Sequence, residues 1–328
     1  MRAPEPRVSV VIPTWKRPVL LRRCLLALCA QRMEPGGFEV IVADDGCERR
    51  IAQLVADLAA DYPRIALRYT AVRTTQGPAG ARNAGWRLAR GEIVAFTDDD
   101  TVPAPDWVGE GYLALTAVAA WSAVSGRVVV PLPARPTDHE RDTGGLANAE
   151  FVTASCFVRR SALQRVGGFD ERFTRAWRED SDLQFRLEKQ AGAVGHAPKA
   201  IVEHPVRAAH WGSSASAQAK VYFDALLYKK HPRLYRARIR RVPPWHYYVM
   251  VLALLVAAVT AIGGHGTAAL PALALWLAMT AAFCIQRLRG AALTPAHVAE
   301  MIVTSALIPP LSIYWRLRGA LAFRTAFL

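Results

Sequence analysis

The sequence predicts an α/β fold with a mainly parallel central sheet, followed by a hydrophobic C-terminal region. Two observations predict it. Over residues 8–119, short β-branched runs alternate with segments whose apolar residues have helical spacing, an order typical of a parallel sheet covered by helices. Beyond Pro244 the composition becomes almost wholly apolar. The chain of 328 residues is long enough for one large domain and a smaller part.

The strands and helices of the predicted sheet follow one another in order. A strand at residues 8–12 ends at Pro13 and precedes a helix at 20–29. Further strand and helix pairs are predicted at 38–43 and 51–60, at 65–69 and 79–89, and at 93–97 and 107–119. From residue 124 to about residue 230 the pattern is mixed, and we expect this region to complete a pocket.

Two segments are predicted to cross a membrane as a hairpin. Residues 247–262 and 268–285 contain no charged residue, and each is about long enough to cross the hydrocarbon core of a bilayer. A pair of buried core helices is the alternative. The aromatic residues Trp245, Tyr247 and Tyr248 at the entry to the first segment favour a membrane.

The regions that flank the hairpin predict its orientation. Residues 229–241 contain seven Lys or Arg and no acid, and such residues favour the cytoplasmic side of a membrane. Both ends of the hairpin are therefore expected in the cytoplasm. The last apolar stretch, residues 297–315, contains Glu300 and the Pro309–Pro310 pair, so an interfacial or re-entrant helix is expected there instead of a third span.

Composition narrows the class of protein further. The chain carries 41 Lys and Arg against 27 Asp and Glu, a formal net charge of +14, which suits nucleic acid, an anionic lipid surface or a phosphorylated substrate. The five cysteines contain no C-x-x-C pair, which favours a reducing compartment over a zinc cluster or a disulfide framework. Residues 1–7 lack the apolar run of a cleaved signal, so the chain is expected to begin in the cytoplasm.

Acidic clusters follow two of the predicted strands. Asp44 and Asp45 come directly after the strand at 38–43, and Asp98, Asp99 and Asp100 come after the strand at 93–97. Ligands of open parallel sheets bind beyond the carboxyl ends of the strands, so one shared pocket is expected. Packed carboxylates repel one another, and Mg²⁺ or Mn²⁺ is a suitable partner for them. A solvated turn or a helix cap is the alternative.

A Gly-punctuated segment, residues 77–85, lies between the acidic clusters. It lacks the glycine spacings of dinucleotide and P-loop sites. Arg82 could still neutralise a diphosphate, and Asn83 could bond either to a nucleotide or to a nearby loop. The alternative is an ordinary loop and helix.

Two further residues are candidates for chemistry. Asp180 follows Glu179 at the start of a predicted helix, where the helix dipole favours negative charge. It could act as a general base on an attacking hydroxyl, although a favourable first-turn acid is the simpler interpretation. His204 could complete a metal shell beside Asp100, although a lone histidine is more often structural.

Six motifs occur in the order 9–14, 44–46, 81–85, 98–100, 167–170 and 179–180. Together they resemble the family 2 glycosyltransferases with a GT-A fold, over roughly residues 7–210. That resemblance implies a GT-A fold, a nucleotide-sugar donor and a Mn²⁺ or Mg²⁺ cofactor. It also implies site residues: Pro13, Thr14, Asp44 or Asp45 and Arg82 at the nucleotide, Asp98 on its ribose and diphosphate side, Asp100 at the metal, and Asp180 as the base. Beside these, Asn83 and Asp99 are candidates on the nucleotide side and His204 is a candidate metal ligand.

One departure from the family pattern bears on the reaction. The Q-x-x-R-W motif of processive members does not follow Asp180, because residues 184–187 do not match it. A single transfer to one acceptor is therefore expected, and the resemblance implies that this transfer inverts the anomeric configuration. The hairpin and the basic segment before it suggest a lipid, lipid-linked or cell-surface glycan acceptor, since each basic residue next to a span attracts anionic lipid by about 1 kcal/mol.

These expectations divide the chain into three parts. Residues 1–228 form the catalytic GT-A domain, residues 229–244 form a basic juxtamembrane linker, and residues 245–328 form the membrane-anchoring region. The protein is expected to be a multi-pass protein of the cytoplasmic membrane, with its catalytic domain in the cytoplasm.

Three other classes stay open at this point. A non-catalytic membrane protein could keep a nucleotide-sugar pocket for sensing or assembly. A nucleic-acid-binding protein would suit the charge of +14, but no recognition motif is present and no nucleic-acid partner is expected. A nucleotidyltransferase would release diphosphate. The sequence does not indicate the base and sugar of the donor, or the oligomeric state.

Overall fold

The computed structural model of the chain describes residues 5–34 and 37–327. The chain divides into two compact units. Residues up to 131 together with 144–206 form the first unit, and residues 132–143 together with 207–328 form the second. The domain boundary at residue 228 stays a prediction.

The strands and helices have the following bounds. The strands are β1 Val8–Thr14, β2 Phe38–Asp44, β3 Ala66–Ala71, β4 Ile93–Phe96, β5 Val102–Pro103, β6 Trp121–Val129, β7 Cys156–Arg159 and β8 Ala193–Glu203. The helices are α1 Pro18–Cys29, α2 Arg49–Asp61, α3 Pro78–Arg87, α4 Trp107–Ala117, α5 Asp138–Gly144, α6 Arg160–Val166, α7 Glu179–Gln190, α8 Ser213–Ser216, α9 Val221–Lys230, α10 Pro232–Leu234, α11 Trp245–Ile262, α12 Gly266–Leu288 and α13 Pro295–Phe323. Short helical turns lie at Gly145–Asn148, Ala217–Lys220 and Tyr235–Ile239.

One sheet runs through the first unit, with the strand order β3-β2-β1-β4-β7-β6-β8-β5. The pairs β2–β3, β1–β2, β1–β4 and β6–β8 are parallel. Strand β7 is antiparallel to both β4 and β6, and β5 is antiparallel to β8. The predicted α/β fold with a mainly parallel sheet is confirmed.

The first strands are buried on both faces, which explains their continuous apolar runs. Val10 of β1 packs into the core cluster that includes Leu25 of α1 and Ile51 of α2. Val11, the next residue, packs into the other cluster, which includes Trp86 near the end of α3. Because alternate residues of a strand point to opposite faces, β1 joins two helix layers and holds its carboxyl end in a fixed position.

The second unit contains three long apolar helices, α11, α12 and α13, and each is long and apolar enough to cross a membrane by length and composition. The two predicted spans correspond to α11 and α12. Helix α13 differs from expectation, because its 29 residues run without a break through Pro309 and Pro310. Proline is tolerated in long apolar helices where neighbouring groups replace the lost bonds. The number of crossings stays a prediction.

Candidate functional site

The carboxyl ends of three neighbouring strands form the candidate site. Thr14 pairs with Asp44 in the register of β1 and β2, and Val11 pairs with Phe96 in the register of β1 and β4. Both acidic clusters therefore begin at the same edge of the sheet. Thr14 Oγ1 donates a hydrogen bond of 2.8 Å to Asp99 Oδ2 across this edge.

Asp98, Asp100 and His204 form a potential metal site. One ligand atom from each residue lies within 4.8 Å of the others, and His204 Nε2 is 3.5 Å from Asp100 Oδ1. His204 directly follows β8, where its backbone N–H donates to Val129 O. Its Nδ1 is buried, and no described residue lies within hydrogen-bond distance of that atom. Carboxylate oxygens with an imidazole nitrogen suit a divalent cation such as Mn²⁺, so these residues fit the metal that the resemblance implied.

Asp99 points to a different set of partners. It is buried, and its carboxylate accepts hydrogen bonds from Thr14 and, at 3.2 Å, from Arg17 Nη1. Burial raises the pKa of Asp99 to about 6, although the charge of Arg17 opposes that shift. Asp99 thus fastens the end of β4 to the end of β1. Its predicted contact with the nucleotide stays a prediction.

Arg82 connects the metal cluster to helix α7. Arg82 is 2% exposed. Its guanidinium donates hydrogen bonds to Asp98 Oδ1 at 2.8 Å and to Glu179 Oε1 at 3.0 Å. Burial lowers the pKa of Arg82, but the carboxylates of Asp98 and Glu179 outweigh this effect and raise it overall. The guanidinium therefore remains charged and holds both acids in place. Its predicted contact with a diphosphate stays a prediction.

Glu179 and Asp180 begin α7, directly after Arg178 in the left-handed conformation, with a φ of 74°. Burial and the neighbouring charge of Asp180 raise the pKa of Glu179 to about 7. Burial also raises the pKa of Asp180, against the opposing hydrogen bond from the Ser181 backbone N–H. That N–H lies 2.6 Å from Asp180 Oδ1. A carboxyl group with a raised pKa is a suitable proton acceptor near neutral pH.

The structure distinguishes Asp44 from Asp45. Asp44 is fully buried, and its two oxygens accept bonds from Gly46 N at 2.8 Å, Glu48 N at 2.7 Å and the Tyr69 hydroxyl at 3.0 Å. Asp45 Oδ2 accepts a bond from Gly77 N at 2.8 Å, while its buried Oδ1 has no partner within the described part of the chain. Asp45 is therefore the member of the pair with an oxygen available for a ligand.

Asn83 bonds to the loop that follows α6. Its Nδ2 donates to Phe169 O at 2.9 Å and to Glu171 Oε1 at 2.8 Å. Its Oδ1 accepts from Phe169 N and from Trp86 Nε1. These four bonds match the capacity of a side-chain amide. A bond to a loop was one of the two predicted alternatives, and the nucleotide contact stays a prediction.

Glycine is required where this loop passes Asn83. Gly168 has a φ of +73°, and an added Cβ would lie 2.5 Å from Asn83 Oδ1 and 2.6 Å from Trp86 Nε1. The Gly-Gly-Phe-Asp motif at residues 167–170 therefore lets this loop pack closely against Asn83 and Trp86 of α3. Pro13 is half-buried near the end of β1, and its role also stays a prediction.

Sequence reasoning did not find the bridge from Glu179 to Arg82, nor the contact of Arg17 with Asp99. Both join residues that are far apart in the chain. The sequence offered two signals for the first contact. Arg82 lies among small residues in the segment that forms α3, and Glu179 and Asp180 are adjacent acids at the start of a helix.

Two models of known protein families match the chain. A family model described as Glycosyl transferase family 2 matches residues 9–172, half of the chain. A second, described as Glycosyl transferase family group 2, matches residues 138–286.

Two curated relatives and one solved structure are similar to parts or all of the chain. Glycosyltransferase AglE of Haloferax volcanii is 26% identical over 178 residues, which are 52% of this chain and 58% of AglE. The GalNAc(5)-diNAcBac-PP-undecaprenol beta-1,3-glucosyltransferase of Campylobacter jejuni is 36% identical over 95 residues, which are 29% of this chain and 30% of that protein. The chain thus spans less than two thirds of the length of these relatives.

The solved structure is the mannosyltransferase PcManGT from Pyrobaculum calidifontis in complex with GDP-Man and Mn²⁺. It is 21% identical and superposes with a TM-score of 0.61, covering 96% of this chain and 87% of that one. This likeness shows a shared fold. The chain belongs to glycosyl transferase family 2.

Proposed function

We propose that the protein transfers a sugar from a nucleoside-diphosphate donor to an acceptor hydroxyl, in a metal-dependent, inverting and non-processive reaction. One observation carries this proposal. Asp180, Glu179, Arg82, Asp98 and the residues beside it form a continuous charged path from a candidate base to a candidate metal site. The two ends of that path have matching roles in such a transfer.

Asp98, Asp100 and His204 would hold the divalent cation. A cation bound there would offset the negative charge that develops on the leaving diphosphate. The relative from Pyrobaculum calidifontis contains Mn²⁺ with its nucleotide sugar, which supports the same class of cofactor here. Either Mn²⁺ or Mg²⁺ would fit the carboxylates.

Asp180 would act as the general base. Its carboxylate takes the proton of the acceptor hydroxyl while the hydroxyl oxygen bonds to the anomeric carbon. The bond from that carbon to the donor phosphate breaks in the same displacement, and the nucleoside diphosphate leaves with the electron pair. A single displacement from the opposite face inverts the anomeric configuration.

Asp45 is the proposed contact for the donor base or ribose, since its Oδ1 is unpartnered among the described residues whereas the oxygens of Asp44 are occupied. We assign Pro13 and Thr14 to the nucleotide side because β1 ends beside both acidic clusters. Arg82 would act on the diphosphate side through its hold on Asp98.

A lipid-linked or glycan acceptor suits the rest of the chain. The second unit has three helices apolar enough for a membrane, and residues 229–241 are strongly basic. The Campylobacter relative is named for a PP-undecaprenol substrate, which is a lipid-linked group. We therefore place the protein in the cytoplasmic membrane, with the catalytic unit in the cytoplasm.

The experiment is a donor panel. Full-length protein in detergent is incubated with nucleotide sugars and either Mn²⁺, Mg²⁺ or EDTA, and released UDP, GDP, TDP or CMP is measured. We expect metal-dependent release from one donor, lost in Asp100→Ala and kept in Asp61→Ala, an exposed acid on α2. Metal-dependent binding of a donor without turnover would support the non-catalytic alternative, and the absence of both turnover and binding would overturn the proposed function.

A further inference from the structure

Arg316 of α13 is a buried charge in the second unit. Its residue is 2% exposed, and neither Nε nor Nη1 has a hydrogen-bond partner among the described residues. A guanidinium stays protonated when buried, so its donors need acceptors. A buried charge without a full set of partners is destabilising, and an anion from outside the chain would remove that cost.

The aromatic neighbours of Arg316 do not supply these acceptors. The guanidinium carbon lies 5.0 Å from the centre of the Phe327 ring, and Phe327 also contacts the rings of Tyr228 and Tyr235 at 5.4 Å and 5.5 Å. A ring under a guanidinium offers a cation–π contact. The N–H groups lie in the guanidinium plane, so they still require an acceptor at its edge.

Further donors surround Arg316. The guanidinium of Arg236 packs over Tyr228 at 4.9 Å, and its Nη1 is buried with no partner in the described residues. The Tyr248 hydroxyl, on α11, is likewise buried without a described partner.

We call Arg236, Tyr248 and Arg316 the Arg316 cluster. Its two guanidinium groups flank the same group of rings, since Arg236 packs over Tyr228 and Arg316 packs over Phe327, which contacts Tyr228. Nε and Nη1 of Arg316, Nη1 of Arg236 and the Tyr248 hydroxyl have no hydrogen-bond partner among the described residues. The cluster is therefore short of hydrogen-bond acceptors.

Helix α13 holds Arg316 in a fixed position. Gly319 lies less than one turn further along the helix, and an added Cβ there would come within 2.6 Å of Tyr222 O and 3.0 Å of Ala225 Cβ. The backbone of α13 thus packs directly on α9. A cation on such a rigid element can act as a preformed site.

We propose that the Arg316 cluster binds a phosphate group carried by a lipid. Arginine donors pair with phosphate oxygens in a planar, often bidentate geometry, and an available tyrosine hydroxyl adds a further donor. The cluster adjoins the start of the apolar helix α11 at Trp245, where a lipid chain has an apolar surface beside its headgroup. The inference goes beyond the proposed function, because the site would exist for a phospholipid of the bilayer as well as for a lipid-linked acceptor.

The experiment measures binding without any sugar donor. Full-length protein in maltoside detergent is titrated with phosphatidylglycerol, farnesyl phosphate, inorganic phosphate or diacylglycerol, and bound species are counted by native mass spectrometry. We expect both lipid phosphates to bind, and diacylglycerol to bind at least about tenfold more weakly, since charged hydrogen bonds are lost. The stronger of the two lipid phosphates identifies the source of the phosphate.

Arg316→Gln tests the assignment, and Arg318→Gln is its matched control. Arg318 is on the same helix but exposed, so its loss removes the same charge outside the cluster. We expect Arg316→Gln to weaken lipid phosphate binding by at least about tenfold and Arg318→Gln by less than about twofold. An equal effect of both variants would show general surface attraction and overturn the proposal.

Arg236→Gln provides a second variant, because Arg236 is only half-buried and its loss is less costly to the fold. If Arg316→Gln unfolds early in a thermal scan, lipid phosphate binding by Arg236→Gln decides: a loss of several-fold supports the site, and unchanged binding overturns it. Binding of inorganic phosphate alone, without either lipid phosphate, also overturns it. Donor turnover is measured in separate samples, so failure of the proposed function is distinguishable from failure of this site.

Discussion

The two edges of the central sheet hold buried charges of different kinds. At the edge where the strands begin, Glu39 of β2 is fully buried. Its carboxylate accepts bonds from Ser9 Oγ at 2.7 Å, from the Arg90 backbone N–H at 2.8 Å, and from the Arg90 and Arg68 side chains at 3.1 Å each. Every oxygen of this network has partners.

At the edge where the strands end, the network is incomplete. Arg82 bridges Asp98 and Glu179, yet Arg82 Nε, Glu179 Oε2 and His204 Nδ1 are buried without partners among the described residues. Asp45 Oδ1 is also buried without a partner among the described residues. These four orphaned atoms of the first unit all lie at the edge where the strands end.

The difference separates a stabilising network from one built for a ligand. Buried polar groups in folded proteins are nearly always paired, so a complete network needs nothing further. An incomplete network lowers the stability of the fold until a ligand supplies the missing hydrogen-bond partners. Five predictions test this contrast, from the largest expected effect to the smallest.

The largest effect is expected for Asp180→Asn. The amide cannot take the acceptor proton, so kcat should fall by about 10²–10⁴-fold, the usual contribution of a general base. The donor dissociation constant should stay within about twofold, because the side chain keeps its size. Steady-state kinetics and donor titration measure both values. Equal weakening of donor binding would show that Asp180 does not act as the base.

Asp100→Ala should weaken metal-dependent donor binding. Loss of a residue that hydrogen-bonds to a metal ligand already lowers metal affinity by about 10–100-fold. Loss of a direct ligand should lower it at least as much. The ratio of the donor dissociation constants measured with EDTA and with Mn²⁺ gives the metal dependence of donor binding. If this ratio is the same in Asp100→Ala as in the unmodified protein, the metal lies elsewhere.

Glu39→Gln should affect stability without affecting the site. Loss of charged hydrogen bonds should lower the free energy of unfolding by about 1–3 kcal/mol, while donor affinity stays unchanged. Glu92→Gln is the control, since Glu92 is exposed at the same edge. Thermal or denaturant unfolding measures the difference, and a large loss of donor affinity in Glu39→Gln would contradict the contrast between the edges.

The effect of Glu39 also has a pH dependence. Burial raises the pKa of Glu39, but its hydrogen bonds outweigh burial and lower the pKa below the ordinary 4.5. Its stabilisation is therefore complete above pH 4.5 and is lost as the pH falls through the lowered pKa. The stability difference between the unmodified protein and Glu39→Gln should shrink over that acid range.

The smallest expected effect is a shift in the pH profile of turnover. Burial raises the pKa of Asp180 above the ordinary 3.8, while the charge of Arg82 holds it down. Turnover should fall as the pH drops through this raised value, because the base must be ionised. In Arg82→Gln the acid limb should move to higher pH. A profile that moves to lower pH, measured in protein shown to be folded, would contradict the link between the two residues.

Local patterns were enough to predict the strands and the acids that follow them. The β-branched runs of β1, β2 and β4 and the acids at 44–45 and 98–100 are adjacent in sequence, so neighbouring residues carry the signal. The apolar segments of α11 and α12 were recognisable for the same reason. A mainly parallel sheet followed from the alternation of strands and helices.

Long-range partners could not be predicted in the same way. The bond from Arg82 to Glu179 joins residues 97 positions apart, and an arginine on a helix of small residues does not by itself indicate which acid it will meet. The choice between Asp44 and Asp45 depends on which oxygens the turn after β2 occupies. The continuity of α13 through Pro309 and Pro310 depends on tertiary packing, which overrides the local preference of proline.

The separation of the proposed metal ligands along the chain has a consequence for synthesis at the ribosome. Asp98 and Asp100 leave the ribosome long before His204, and β7, which lies between β4 and β6, also comes later. Domains generally fold as units during translation. A nascent chain that ends at residue 172 would contain the region matched by the family model but neither Asp180 nor His204. The site is therefore complete only when β8 has emerged, shortly before α11 begins at Trp245.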